Sequence, residues 1–269
     1  LKMQQKMPDI ERLREHFRSI ITGPVTVAFS GGTDSVLVLK LTLEAARNRF
    51  PVYAVYADTP WMPRAALEEA QNIAKDFQTD LHIIRLDSPQ SIGIENNPKD
   101  RCYRCKKNIF AALKAFAAEH GCSILLEGTQ LDDLNKYRPG LQAVRESGAL
   151  SPLKDLGLHK ADVRHFLTLF NIEAAKKPSG SCLATRLPYG QTLETELLKR
   201  IDTAEQWLRA FDLGTVRVRS HGEIARIEVS RENLQKVLCI HEQLTQKFKS
   251  LGWKYVTLDL EGFRSGSMD

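Results

Sequence analysis

The chain predicts an α/β protein, a doubly wound parallel sheet followed by a smaller α+β domain, on three observations. Short apolar runs rich in Val, Ile and Leu alternate with longer helical stretches through the first half. One of these runs, in VTVAFSGGTDSVLVLKL from Val25 to Leu41, stops at two glycines and an aspartate and resumes as an amphipathic pattern. Beyond Gln191 the alternation changes to a helix, two strands, a helix and a last strand.

Taken in order, the periodicity predicts a helix over Ile10 to Ile20, a strand over Val25 to Phe29 and a helix from Ser35. It continues with a strand at Val52 to Ala57, a helix at Arg64 to Phe77, a strand at Leu81 to Leu86, a helix at Cys105 to Glu119 and a strand at Ser123 to Glu127. Helix-linked apolar strands of this kind form a parallel sheet covered on both faces, with its ligand at the carboxyl ends of the strands. A helix over Lys160 to Phe170 precedes the loop KKPSGSCLATRLPYG. Then come a helix from Glu194 to Phe211, the strands TVRVRS and ARIEV, a helix from Glu232 to Phe248 and the strand KYVTLDL. Two domains are expected, residues 8–180 and 190–269.

Composition narrows the class further. A net charge of +5 comes from scattered Lys and Arg, which suits anionic small molecules as well as nucleic acid. No apolar run is long enough to cross a bilayer, and LKMQQKMPDI lacks the hydrophobic centre of a signal peptide, so a soluble cytoplasmic protein is the expectation. Five cysteines at irregular spacing do not make a secreted disulfide framework.

The hinge SGGTDS, Ser30 to Ser35, turns a buried strand into a helix, so its amides and the helix N-terminus converge on one point of positive partial charge. That arrangement binds phosphate; the alternative is an ordinary glycine turn with Asp34 as helix cap. A Walker A lysine is missing, and the spacing is too short for the dinucleotide fingerprint. The hinge resembles the pyrophosphate loop of the N-type ATP pyrophosphatases, which cleave ATP between its α- and β-phosphates. The resemblance implies ATP contacts from Ser30, Gly31, Gly32, Thr33, Asp34 and Ser35, with Mg²⁺ to neutralise the phosphates. It also implies that Ala57 and Asp58, ending the second strand, frame the adenine. The turn EGTQLDDL brings Gly128 and Asp133 to the same edge, where adjacent carboxylates hold Mg²⁺ or else, as Asp132 and Asp133, cap a following helix.

RCYRCKK gives Cys102 and Cys105 metal-ligand spacing, and Lys106 beside them favours thiolate. One pair is a half-site. Cys182, in a loop rich in Gly, Ser and Pro, is the third candidate, whereas Cys122 and Cys239 read as core residues. Three thiolates together bind zinc with a further ligand, or a 4Fe-4S cluster with one iron open to carry sulfide.

The run from EGTQLDDLNKYRPG through LSPLKDLGLHKADVRHFL, then KPSGSCLATRLPYG and the terminal GFRSGSMD, resembles the LarE family of sulfur transferases over nearly the whole chain. The resemblance implies adenylation of a carboxylate of pyridinium-3,5-biscarboxylic acid mononucleotide and replacement of AMP by sulfur, in nickel-pincer cofactor synthesis. One branch of that family sacrifices the cysteine matching Cys182. A second holds a 4Fe-4S cluster on three cysteines, and the presence of Cys102 and Cys105 with Cys182 matches it. The resemblance further implies catalytic roles for Cys182, Asp34 and Lys106, and substrate contacts from Arg138, Arg186, Arg217, Arg219 and Arg264. Arg217 and Arg219 share a strand face, and paired guanidinium groups suit a phosphate. Glu205 and Glu228 fall near family metal positions, but Lys236 stands where a third acid is expected.

A small nucleotide substrate and a trimer-based homo-oligomer complete the family expectation, with no membrane partner. A tRNA-thiolation enzyme shares the hinge but needs an RNA-binding surface that the scattered charge does not advertise. A non-catalytic nucleotide sensor is the third class.

Overall fold

The structure, a computed structural model, describes residues 9–47, 49–86, 88–134, 139–176, 180–264 and 268. They fall into two compact units. The first is drawn from Leu1–Thr59, Arg64–Asp87 and Asp100–Gly180, and the second from Pro60–Pro63, Ser88–Lys99 and Ser181–Asp269. The units are therefore not consecutive halves of the chain, because two short inserts from the first half belong to the second unit.

In the first unit the chain runs α1 (Ile10–Ile20), β1 (Val25–Ala28), α2 (Thr33–Ala46), β2 (Val52–Asp58), α3 (Arg64–Asp76) and β3 (Leu81–Arg85). It continues with α4 (Arg101–Glu119), β4 (Ile124–Leu126), α5 (Leu131–Leu134), α6 (Gly140–Ser147), α7 (Pro152–Asp155) and α8 (Lys160–Leu169). The four strands make one parallel sheet in the order β3-β2-β1-β4, as the alternation of strands and helices predicts. Val25, Thr26 and Val27 of β1 are fully buried, the signature of a strand covered on both faces. Because β2 and β4 lie on opposite sides of β1, its carboxyl end is the point where the winding reverses.

Local chemistry sets the element ends. Asp9 caps α1 by accepting from the Arg12 amide at 2.8 Å. Arg47, at φ 40°, ends α2 in the left-handed region, returning its amide to Leu43 O. Ten of the fourteen α2 residues are buried, so this helix is packed nearly all round instead of being the amphipathic helix the pattern suggests. Helix α4 opens at Arg101, four residues before the predicted start at Cys105, which puts Cys102 and Cys105 on its first two turns.

The second unit comprises α9 (Thr195–Arg209), β5 (Arg217–His221), β6 (Ile224–Glu228), α10 (Leu234–Cys239), α11 (His241–Ser250) and β7 (Tyr255–Leu258). Its sheet has the order β5-β6-β7, antiparallel between β5 and β6 and parallel between β6 and β7. Leu198, Ile201 and Leu208 of α9 are buried, as are Val218, Phe248 and Trp253, the last two with ring centroids 5.5 Å apart. The Trp253 indole N–H donates to Ser220 Oγ at 3.0 Å, which satisfies the buried ring's polar handle. The single helix predicted from Glu232 to Phe248 is instead a 3₁₀ turn followed by α10 and α11, with the break at Ile240. At that break a His241 ring nitrogen sits 2.9 Å from Leu238 O, so the side chain satisfies a carbonyl at the end of α10. Among the described residues no helix is long and apolar enough to cross a membrane.

Candidate active site

The hinge folds on itself through its own hydroxyls. Ser35 Oγ donates to Gly32 O at 2.9 Å, accepts from the Ser30 amide at 3.2 Å and lies 3.2 Å from Ser30 Oγ. Gly31, at φ 69°, adopts the left-handed conformation, and a Cβ there would lie 3.1 Å from Cα of the buried Ala70 on α3. Glycine is thus required twice at this position, by its dihedral and by close packing. Gly32 is the N-cap of α2 and makes no side-chain capping bond, while its own amide donates to Ser30 Oγ at 3.4 Å, so the N-terminus of α2 opens at the carboxyl end of β1.

Gly128, just after β4, closes the other side. A Cβ on it would sit 3.0 Å from the Ser35 amide nitrogen, so the turn after β4 rests directly on the hinge backbone. Glu127, 5% exposed, fixes this turn by accepting from the Thr129 amide at 3.0 Å, from Thr129 Oγ1 at 2.8 Å and from the Ser151 hydroxyl.

Charge around the hinge comes from a residue that sequence reasoning missed. Lys160 Nζ reaches both carboxylate oxygens of Asp34, at 2.9 and 2.8 Å. Its backbone amide donates to Asp132 Oδ2 at 2.8 Å, while His159 Nδ1 lies 2.7 Å from Asp132 Oδ1. Asp132 therefore braces the start of α8, and through it the lysine. Asp133, 8% exposed, accepts from the Gln130 amide at 3.2 Å and so caps the short α5. Nothing local in LGLHKADVR marks Lys160, since its partner lies 126 residues away.

At the end of β2, Asp58 pairs with Arg64 at 2.8 Å, next to Ala57. Tyr56 is buried, and its hydroxyl has no hydrogen-bond partner among the described residues. Burial, followed by the charge of Asp58, pushes its pKa up to about 12. On α4, Cys102 is exposed and Cys105 half-buried. Lys106 is half-buried too, and a Cβ on Gly140 would lie 2.9 Å from its Cδ, so α6 begins hard against the lysine stem.

In the second unit, half-buried Cys182 caps a 3₁₀ turn, Leu183–Arg186. Arg186, 1% exposed, forms a bidentate pair with Glu205 at 2.7 and 3.0 Å. Its remaining nitrogen donates to Ser181 Oγ and Thr185 Oγ1, both at 2.7 Å, and to Cys182 O at 3.2 Å. Glu205 also accepts from the Val218 amide at 3.0 Å. Arg219 donates to Thr185 O and to Glu228, each at 2.8 Å, and Arg226 takes the other Glu228 oxygen at 3.1 Å. Arg217 lies over the Phe263 ring at 5.4 Å. Burial, then the neighbouring Arg186, lowers the pKa of Arg217 to about 10. Exposed Arg264 reaches Asp259 at 3.4 Å.

Arg186, Arg217 and Arg219 thus gather around the Cys182 turn or on the β5 face, and Arg264 lies at the edge of β7. Arg138 lies outside the described residues. Glu205 and Glu228 are each engaged by arginine, and Lys236 donates to Asp212 O at 3.1 Å. Among the described residues no group of three or more His, Cys, Asp or Glu is gathered as metal ligands. The thiols of Cys102 and Cys105, three residues apart on one helix, are nevertheless donors of the right chemistry for a soft metal centre.

No family model matches the chain. It is 38% identical, over 91% of its length and 88% of the relative's, to pyridinium-3,5-bisthiocarboxylic acid mononucleotide synthase of Lactiplantibacillus plantarum. An uncharacterised protein of Synechocystis is 35% identical over 97% of this chain and 96% of its own. Another, from Methanocaldococcus jannaschii, is 32% identical over 94% of each.

Proposed function

The chain belongs to the LarE family, that of the pyridinium-3,5-bisthiocarboxylic acid mononucleotide synthase, and from this premise we propose that it is an ATP-dependent sulfur transferase of nickel-pincer cofactor synthesis. The observation that carries the reading is the hinge at the winding reversal of the sheet. There Gly31, Gly32 and the opening amides of α2 form a backbone cradle for phosphate, with Lys160 as the adjoining cation.

The reaction proposed has two displacements. A carboxylate oxygen of pyridinium-3,5-biscarboxylic acid mononucleotide attacks the α-phosphorus of Mg²⁺-bound ATP, and the bond to the β-phosphate oxygen breaks with pyrophosphate leaving. The chain's contribution is to hold the departing charge on the amides of Gly31 to Ser35 and on Lys160 once it exchanges Asp34 for phosphate. The acyl adenylate is now electrophilic, and a sulfide attacks its carbonyl carbon, expelling AMP with its electron pair to leave a thiocarboxylate. Arg217, Arg219 and Arg264 are the proposed anchors of the mononucleotide phosphate.

For the sulfur source the reading favours a 4Fe-4S cluster on Cys102, Cys105 and Cys182, which when bound would supply sulfide at the iron lacking a protein ligand. Direct sacrifice of the Cys182 sulfur is the competing source.

Cys182→Ala is expected to abolish thiocarboxylate formation and leave ATP-dependent pyrophosphate release within about twofold. Loss of both together overturns the reading. Iron and acid-labile sulfide on anaerobically prepared protein then separate the sources: about four irons per chain, lost on replacing any of the three cysteines, supports the cluster, and none supports sacrifice.

A further inference from the structure

Asn97 combines two features that an ordinary loop residue does not need. It is fully buried, and it sits at φ 47° in the left-handed region. Its side-chain Nδ2 donates toward three backbone carbonyls, Ala184 O at 3.3 Å, Leu187 O at 3.1 Å and Pro188 O at 2.9 Å. Three acceptors around one terminal atom identify that atom as the nitrogen. Its backbone is engaged as well: the amide donates to Ile94 O at 2.9 Å, and the carbonyl accepts from Gly190 N at 3.3 Å.

The three carbonyls lie at the carboxyl end of the 3₁₀ turn Leu183–Arg186 and just beyond it; Ala184 O also accepts from the Leu187 amide at 3.4 Å and Pro188 O from the Gln191 amide at 3.2 Å, so the carboxamide adds a shared donor to carbonyls that turn amides already engage. At the other end of this turn, the Leu183 amide donates to Trp61 O at 2.7 Å. Both inserts of the second unit thus grip the turn that Cys182 caps, Pro60–Pro63 at its start and Ser88–Lys99 at its end.

We propose that Asn97 is a positioning residue for Cys182, its carboxamide fixing the short turn whose first residue carries the thiol. The proposal rests on reading Cys182 as the residue that handles sulfur. Few side chains meet the requirement. Glycine accepts φ 47° more readily but offers no donor, and a long amide such as glutamine donates but disfavours the backbone. Aspartate keeps the size and tolerates the backbone, yet turns acceptor oxygens toward three carbonyl oxygens. The carboxamide of Asn97 bonds to the backbone of the turn, so it acts on Cys182 through the turn.

The test compares Asn97→Gly with the parent full-length protein in two readouts. The first is the rate of Cys182 alkylation by iodoacetamide, followed peptide by peptide by mass spectrometry, with buried Cys122 as internal control. The second is steady-state sulfur transfer alongside pyrophosphate release. The expected result is alkylation of Cys182 at least about fivefold faster, with Cys122 unchanged, and kcat for sulfur transfer lowered about 10- to 100-fold with KM for ATP and pyrophosphate release within about twofold. Should Asn97→Gly fail to fold, Asn97→Asp carries the same comparison. Unchanged alkylation at Cys182, or faster alkylation with undiminished transfer, overturns the proposal. A parent protein that transfers no sulfur overturns the functional reading instead, and the alkylation rates then decide by themselves whether Asn97 holds the turn.

Discussion

The hinge of the first unit and the Cys182 turn of the second solve the same problem, holding a short irregular segment still, with opposite materials. In the hinge the support is main chain and hydroxyl within six residues: Ser30 and Ser35 bond to each other's turn, and Gly31 folds into contact with Ala70. Around Cys182 the support is buried side-chain charge and amide from distant parts of the chain, with Arg186 on Glu205, Arg219 on Thr185 and Asn97 on three carbonyls. Backbone support keeps the hinge compact at the N-terminus of α2, where helix amides gather positive partial charge. Side-chain support engages the carbonyls of Cys182, Ala184, Thr185, Leu187 and Pro188, and the Cys182 thiol beside them is half-buried. The difference teaches that a segment of glycines and hydroxyls can hold itself, whereas the Cys182 turn is held by side chains brought from elsewhere; on the proposed reading the first is the phosphate receptor and the second the mount of the thiol.

The sharpest way to break that contrast is Glu205→Gln. If buried charge holds the Cys182 turn, removing one partner of a pair in which both side chains are 1% exposed leaves Arg186 uncompensated and costs about 3–5 kcal/mol. Urea denaturation checks it, and a loss below about 1 kcal/mol would mean the turn stands without the pair.

On the hinge side, Lys160→Met is expected to cut pyrophosphate release about 100-fold while changing stability by less than about 1 kcal/mol. The Lys160–Asp34 pair is about a quarter exposed, so its contribution to folding is screened. Unaltered pyrophosphate release would reduce the pair to a surface tie.

Gly31→Ala comes next, with an expected destabilisation of about 2 kcal/mol from φ 69° and from crowding against Ala70. Adding Ala70→Gly should recover the crowding part and leave the dihedral part, which thermal melts of the two variants separate.

The smallest effect belongs to Tyr56→Phe, which removes a buried hydroxyl with no partner among the described residues and should leave stability at pH 7 within about 1 kcal/mol of the parent. Its sign appears in alkali. Because folding raises the Tyr56 pKa from 10 to about 12, the neutral phenol's contribution is complete below pH 10 and is lost as the pH rises towards 12. The parent should therefore weaken more steeply than the variant across that window, by denaturant titration at each pH.

The two segments were unequally legible. The hinge is contiguous, and its residue types state their purpose: glycines for a left-handed turn, hydroxyls to brace it, an apolar strand before and a helix after. Cys182 was legible as an oddity of composition, a thiol in a Gly, Ser and Pro loop, and by its family resemblance. Its supports were not legible as supports, because the family resemblance points Arg219 to a phosphate and Glu205 to a metal, Asn97 lies in no motif, and their partners are 19 to 91 residues away. Lys160 was hidden for the same reason. The start of α4 was misjudged because no apolar period marks Arg101 to Arg104, and the break at Ile240 because a side chain, not a Gly or Pro, ends α10.

By itself the sequence determined the alternation of strands and helices, the parallel sheet, the glycine hinge between β1 and α2 and the kinship, since all of these are written in local periodicity and contiguous motifs. Only the tertiary structure decided that segments 60–63 and 88–99 fold with the second unit, that Lys160 serves Asp34, and that Glu205 and Glu228 pair with arginines. The physical reason is range. Dihedral preference and hydrophobic period act over a few neighbours, whereas a buried ion pair or a shared amide takes its partner from wherever packing brings one, and packing is a property of the whole chain.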